Sequence, residues 1–159
     1  MKRLILLAGL SALVPTAALA ATPHLDGSYL MTETYFCPGT ANENGAITNG
    51  GDVHQMIGEA TVTPSQSDGP SGTMKFSVIN NDGPFVILNG NGKFTKTTEN
   101  GTGAYSFSGT KFTITPEGRS AATYSAFPGL ANSAGVVQDL FALRIDGDGC
   151  SDEFILRSK

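Results

Sequence analysis

The sequence predicts an all-β fold: an antiparallel meander of about eight to ten strands closed into a barrel. Three observations predict it. Asn-Gly and Asp-Gly steps punctuate the chain at short intervals, from Asn44-Gly45 to Asp148-Gly149. The runs between them are rich in Thr, Val, Ile, Phe and Tyr and often alternate with a period of two, as half-buried strands do. Finally, the two cysteines, Cys37 and Cys150, stand at the end of the first run and the start of the last. A disulfide requires Cα atoms within roughly 7 Å. If the two are bonded, the first and last strands lie side by side and antiparallel, and the sheet closes on itself. A β-sandwich whose terminal strands meet is the alternative, and two free thiols remain open from sequence alone.

The elements follow in order. Met1–Ala20 reads as a secretory signal peptide. Lys2 and Arg3 form its positive start, Leu4 to Val14 its apolar centre, and Ala18 and Ala20 the small residues before cleavage. The apolar run is too short for a membrane span, so no stable membrane insertion is expected. Cleavage near Ala20 leaves residues 21–159 as one barrel domain, secreted or periplasmic, where a disulfide is permitted. Asp26 to Cys37 is the first strand, with Tyr29, Met31, Glu33, Tyr35 and Cys37 on one face. Thr40 to Asp52 reads as a long polar loop. Val53 to Pro64 follows with Met56, Ala60 and Val62 inward, then Ser71 to Asn80 with Met74, Phe76 and Val78. Phe85 to Leu88 is short and continuously apolar. Asn100-Gly101 is expected to turn the chain between a strand at Gly92 to Glu99, with Phe94 in the core, and one at Gly103 to Ser108. Lys111 to Thr115 and Arg119 to Phe127 come next. Pro128 to Gln138 is read as a loop with at most one helical turn, since two glycines weaken a helix. Val136 to Ile145 is expected to face inward through Val137, Phe141, Leu143 and Ile145. Asp152 to Arg157 is expected to turn Phe154 and Leu156 inward and Glu153, Ile155 and Arg157 outward.

Charge narrows the partners. Without Lys2 and Arg3, eight basic residues face fourteen acids, a net charge of −6 with neutral histidines. Such a surface disfavours nucleic acid and anionic membranes.

Three stretches resemble the small secreted bacterial barrels of the calycin and lipocalin group: LDGSYLMTETYFC, FVILNGNGKFTKTTENGTGAYSFSGTKFTIT and LFALRIDGDGCSDEFIL. The matching positions are Gly27 and Tyr29 in the opening, Gly90, Gly92, Phe94, Gly103, Tyr105 and Phe107 in the hairpin series, and Cys150 near the end. The tryptophan usual at the opening of that group is missing. The resemblance implies a meander barrel and a small apolar ligand, and no catalytic residue.

The candidate chemistry is sparse. Asp146, Asp148, Asp152 and Glu153 flank Cys150, but the spacing lacks the calcium-loop pattern, with Arg157 where a bidentate Glu is required. They read as a solvated, disulfide-pinned hairpin. His24 reads as part of a loose terminus and His54 as a strand-end histidine. No metal, cofactor or catalytic residue is assigned. Glu33 shares a face with Tyr29 and Tyr35, and an inward carboxylate must be paired, protonated or beside water. A β-bulge turning it outward is the plain alternative. The sharper reading makes Tyr29, Glu33, Tyr35, Tyr105 and Tyr124 polar contacts in a ligand cup. Two function classes follow. One is a binding protein for a small apolar or amphipathic molecule. The other is a structural or surface-interaction barrel with a packed interior. A barrel isomerase or cyclase stands third.

Overall fold

The computed structural model describes residues 21–44, 46–49, 51–84 and 93–159. The segment Met1–Ala20, read from sequence as a signal peptide, the Phe85 to Leu88 run, and Gly90 and Gly92 lie outside the described residues. Among the described residues ten strands follow one another: β1 (Gly27–Cys37), β2 (Thr40–Ala41), β3 (Ile47–Asn49), β4 (Asp52–Pro64), β5 (Ser71–Pro84), β6 (Thr95–Phe107), β7 (Lys111–Pro116), β8 (Ala122–Pro128), β9 (Asp139–Ile145) and β10 (Ser151–Ser158). Eight of them form a closed antiparallel barrel in the order β1-β10-β9-β8-β7-β6-β5-β4, and β2 with β3 makes a separate hairpin. The expected barrel is therefore present, and the sandwich alternative is not. The expected polar loop between β1 and β4 carries that hairpin, closed by Asn42, whose Oδ1 accepts from the Ala46 amide.

Closure rests on β1, which pairs with β10 along Tyr29↔Ser158 to Phe36↔Ser151 and with β4 along Gly27↔Val62 to Cys37↔Asp52. One residue beyond the β1–β10 ladder, Cys37 and Cys150 are bonded with Cα atoms 4.2 Å apart. Closure leaves no edge of the barrel sheet free to pair with another chain.

The two ends of the barrel differ. At the end away from the disulfide, residues 21–26 fold across the opening. The His24 amide donates to the Gly135 carbonyl at 3.0 Å, and the Val137 amide donates to the His24 carbonyl at 2.9 Å. Leu25 is fully buried, and the Tyr105 hydroxyl donates to its carbonyl at 3.0 Å. The Tyr29 hydroxyl donates to the Val137 carbonyl at 2.9 Å, with the Asp26 carbonyl 3.1 Å away. His24, expected in a loose terminus, is buried. The reason is that the segment supplies an apolar plug and satisfies its backbone against residues 135–137. Above the plug the interior is filled by Met31, Val62, Met74, Phe107, Leu140 and Leu156.

Four expectations are corrected. Asn100-Gly101 does not turn; β6 runs straight through it. Gly101 faces inward, and a Cβ there would come within 2.4 Å of the Phe76 ring. Phe76 thus covers a glycine in the strand, and this tertiary contact overrides the local turn signal. Asp82-Gly83 likewise stays inside β5. Phe94, expected in the core, is 59% exposed, and its ring occupies the space a Cβ on Gly83 would take. In β9 the buried residues are Leu140 and Ala142, whereas Phe141 and Ile145 point outward and Leu143 is half-buried. The chain at 136–138 forms only isolated bridges. Alternation counted from the buried Val137 therefore does not carry into β9.

The outward residues make a continuous row across six strands. Phe127, Phe141, Ile155, Thr32, Ile57 and Ile79 are successive register partners. Phe127, Phe141, Ile57 and Ile79 are exposed.

Candidate functional site

The disulfide end of the barrel is open, and its inner wall is built by register. One inward row runs Arg144↔Asp152↔Tyr35↔His54↔Asp82 through β9, β10, β1, β4 and β5. The row beneath it runs Ala142↔Phe154↔Glu33↔Met56↔Asn80. Charged side chains thus sit directly above an apolar floor. The floor is aromatic on one side, where the rings of Phe112 and Phe154 lie 5.1 Å apart and Tyr124 stands about equally far from both, at 6.1 and 6.0 Å.

Asp152 is the centre of the polar row. It is 4% exposed. Its Oδ2 accepts from the Tyr124 hydroxyl at 2.8 Å and from Arg144 Nη2 at 3.3 Å. Its Oδ1 is buried without a hydrogen-bond partner among the described residues, as is Arg144 Nε. Arg144 also stands 5.7 Å over the Tyr124 ring and forms an ion pair with Asp146 at 3.6 Å. Burial raises the Asp152 pKa, against the lowering effects of Tyr124 and Arg144. Burial likewise pushes the Tyr124 hydroxyl up, with Glu33 and Asp152 adding to it. A buried pair of this kind must be compensated by its own geometry, because desolvation costs several kcal/mol per ion.

Glu33 is half-buried, points into the same space, and has its carboxyl pushed up to about 8. Burial is the main cause; the Asp152 charge adds to it and Arg144 opposes it. The neutral form of the carboxyl is favoured as long as no further cation stands beside it, and a neighbouring positive charge would favour the ionised form. Around it the other charges are paired: His54 with Asp82, and Arg119 with Glu99 at 3.1 Å.

Two cavities share Glu33, Arg144 and Asp152 as a common wall. One, of about 280 Å³, is floored by Met31, Met56, Phe76, Ile114 and Ala122 and rimmed by Glu99 and Arg119. The other, of about 390 Å³, opens between Tyr35, Val53, His54 and Asp82. Together they make a shallow cup with an apolar base and a charged waist.

The five residues proposed from sequence are divided by this geometry. Glu33 and Tyr124 line the smaller cavity, and Tyr35 lines the larger with Glu33. Tyr29 and Tyr105 lie at the opposite, plugged end, where both hydroxyls are used on backbone carbonyls. Burial pushes the Tyr105 hydroxyl up to about 12, in keeping with a neutral structural donor.

Asp152 and Arg144 are the site residues that sequence reasoning missed. Asp152 stands apart from the solvated acids around Cys150: Asp148 and Glu153 are exposed, and Asp152 is not. The signal was present in the alternation of the last strand, since Asp152 shares its parity with Phe154 and Leu156. Among the described residues no group of three His, Cys, Asp or Glu side chains is placed to hold a metal ion. No described helix is long and apolar enough to cross a membrane. Comparison with protein-family models, curated proteins and solved structures finds no match to the chain.

Proposed function

We propose that this is an exported binding protein of the calycin and lipocalin kind, holding one small amphipathic molecule in the open end of the barrel. The observation that carries the reading is the cup itself. An apolar floor of Met31, Met56, Phe76 and Ile114 meets a waist where the buried Asp152 Oδ1 has no hydrogen-bond partner among the described residues. Small-molecule sites combine apolar walls with a few convergent polar groups. Buried unsatisfied atoms each cost about 1–3 kcal/mol, and a ligand head group would recover that cost. Export accords with the leader-like first twenty residues and with the disulfide.

The test is native mass spectrometry of the protein purified from its own host, with titration by a neutral apolar dye such as N-phenylnaphthylamine. The expected result is a retained small molecule, or saturable dye binding at one site that a Phe76→Ala exchange alters. An empty protein that takes up no dye overturns the reading.

A second reading is favoured by one observation, the outward row from Phe127 to Ile79. It supports a structural or surface-interaction barrel in which the outer face, not the interior, does the binding. Sedimentation velocity over a wide concentration range tests its self-association form. A concentration-dependent dimer abolished by Ile57→Lys supports it, and a monomer throughout removes it.

A further inference from the structure

The charges around the cup do not balance. Facing it are the carboxyls of Glu33 and Tyr35's neighbour Asp152 on one side, Asp52 and Asp82 on another, and Glu99 on a third. The bases that face it are Arg144, Arg119 and His54. Each base already has a carboxylate partner: Arg144 pairs with Asp152 and Asp146, Arg119 with Glu99, and His54 with Asp82. Glu33 and the exposed Asp52 at the mouth are the carboxyls left over; Glu33 is the one set deeper in the barrel, and no hydrogen bond or ion pair to another described residue is seen for it. A second and independent feature points the same way. Asp152 is more than nine-tenths buried, lines both cavities, and keeps Oδ1 without a donor among the described residues. What the cup lacks is therefore positive charge and hydrogen-bond donors together.

We infer that the ligand is an amphipathic primary amine, its ammonium held between Glu33 and Asp152 and its apolar body laid on Met31, Met56, Phe76 and Ile114. An ammonium carries three donors and no acceptor, which suits two carboxyl groups with Tyr35 or the cup's water as the third partner. A bare inorganic cation would waste the apolar floor. An anionic head would face an excess of carboxylates with both guanidiniums already engaged. A neutral alcohol would gain the floor but leave the charge imbalance untouched. Burial and the Asp152 charge hold Glu33 near a pKa of about 8 when the cup is empty; a bound ammonium supplies the opposite charge that favours its ionised form.

This inference rests on the binding reading above, and one experiment separates the two. Octylamine, octanol and octanoate share a tail and differ only in head charge. Each is titrated by calorimetry at neutral pH against the wild-type protein, Glu33→Gln and Asp152→Asn, with folding checked by circular dichroism. The expected result is octylamine binding at least tenfold tighter than octanol, with octanoate weakest. Glu33→Gln should weaken octylamine about tenfold and leave octanol within twofold. If Asp152→Asn fails to fold, Glu33→Gln decides alone. Octanol or octanoate binding as tightly as octylamine overturns the amine while leaving the binding protein standing. Octylamine affinity unchanged in Glu33→Gln overturns the site. No binding of any of the three overturns both.

Discussion

Replacing Glu33 by Gln should make the protein more stable at high pH and change it little at low pH. Glutamine has the shape and neutrality of protonated glutamate, so it mimics the form the cup favours. The carboxyl is pushed from 4.5 up to about 8 in the folded protein. Between these values the folded state holds a proton that the unfolded chain has lost. Stability then falls as pH rises, by about 1.4 kcal/mol per pH unit for one proton. The cost is absent below the unfolded pKa and complete above the folded one. Across the whole window it sums to about 5 kcal/mol as an upper limit. Only the part above pH 6 falls between pH 6 and 9, and water at the mouth screens the charge, so about 1–2 kcal/mol is expected there. At a few degrees per kcal/mol for a domain of this size, that is a Tm difference of about 5 °C. The assay is urea unfolding of both proteins at unit pH steps from 5 to 9. The curves should coincide near pH 5 and diverge through pH 8, with Glu33→Gln the more stable. The difference between the two proteins cancels the titrating groups that do not interact with Glu33. A constant difference, or one that grows toward acid, refutes the placement of Glu33 in a poorly solvated site.

Three further outcomes follow from the structure. Exchanging both cysteines for alanine opens a loop of sequence separation 113 and should cost about 2–5 kcal/mol, read as a lower urea midpoint; an unchanged midpoint would mean the β1–β10 ladder closes the barrel unaided. Tyr29→Phe leaves the Val137 carbonyl without its side-chain donor and should cost about 1–2 kcal/mol; hydrogen exchange of the Val137 amide, which bonds to His24, should quicken as the plug loosens. Gly101→Ala sets a Cβ within 2.4 Å of the Phe76 ring and should cost about 1–3 kcal/mol; since Phe76 lines the smaller cavity, dye affinity should fall with it.

Closure and the greater part of the inward pattern were legible because they depend on local alternation and on one long-range covalent constraint. Met31, Met56, Met74 and Phe154 alternate cleanly, and the two cysteines tie strands whose neighbours could be named from chain order. What was not legible depends on contacts between strands. Asn100-Gly101 carries a strong turn signal in isolation, and only the Phe76 ring on the adjacent strand explains why it stays extended. The parity of β9 was lost because Val137 is buried by the plug rather than by the barrel. Glu33 could be placed on an inward face by alternation alone. Tyr29 and Tyr105 share inward parity with the cup residues, but parity gives a face and not a height. Tyr29 is set apart from Glu33 by four residues along β1 itself, whereas Tyr105, on β6, is brought to the plugged end by its register and its bond to the Leu25 carbonyl.

The register of the strands explains why a charged row is tolerated at one end. Arg144 and Asp152 are direct cross-strand partners, so each inward charge arrives with its counter-charge already opposite. Placed one row deeper, beside Ala142 and Phe154, the same pair would lose the water of the open mouth and pay the full desolvation cost. Placed one row higher, it would be solvated and of little use for holding a ligand. The pair stands where water is scarce enough to strengthen a charge contact and still present enough to let the charges form. Glu33 stands one row further in than Asp152, with Phe154 and Met56 as its cross-strand partners. Its displaced pKa follows from burial beside these apolar partners, with the Asp152 charge one row outward adding to it.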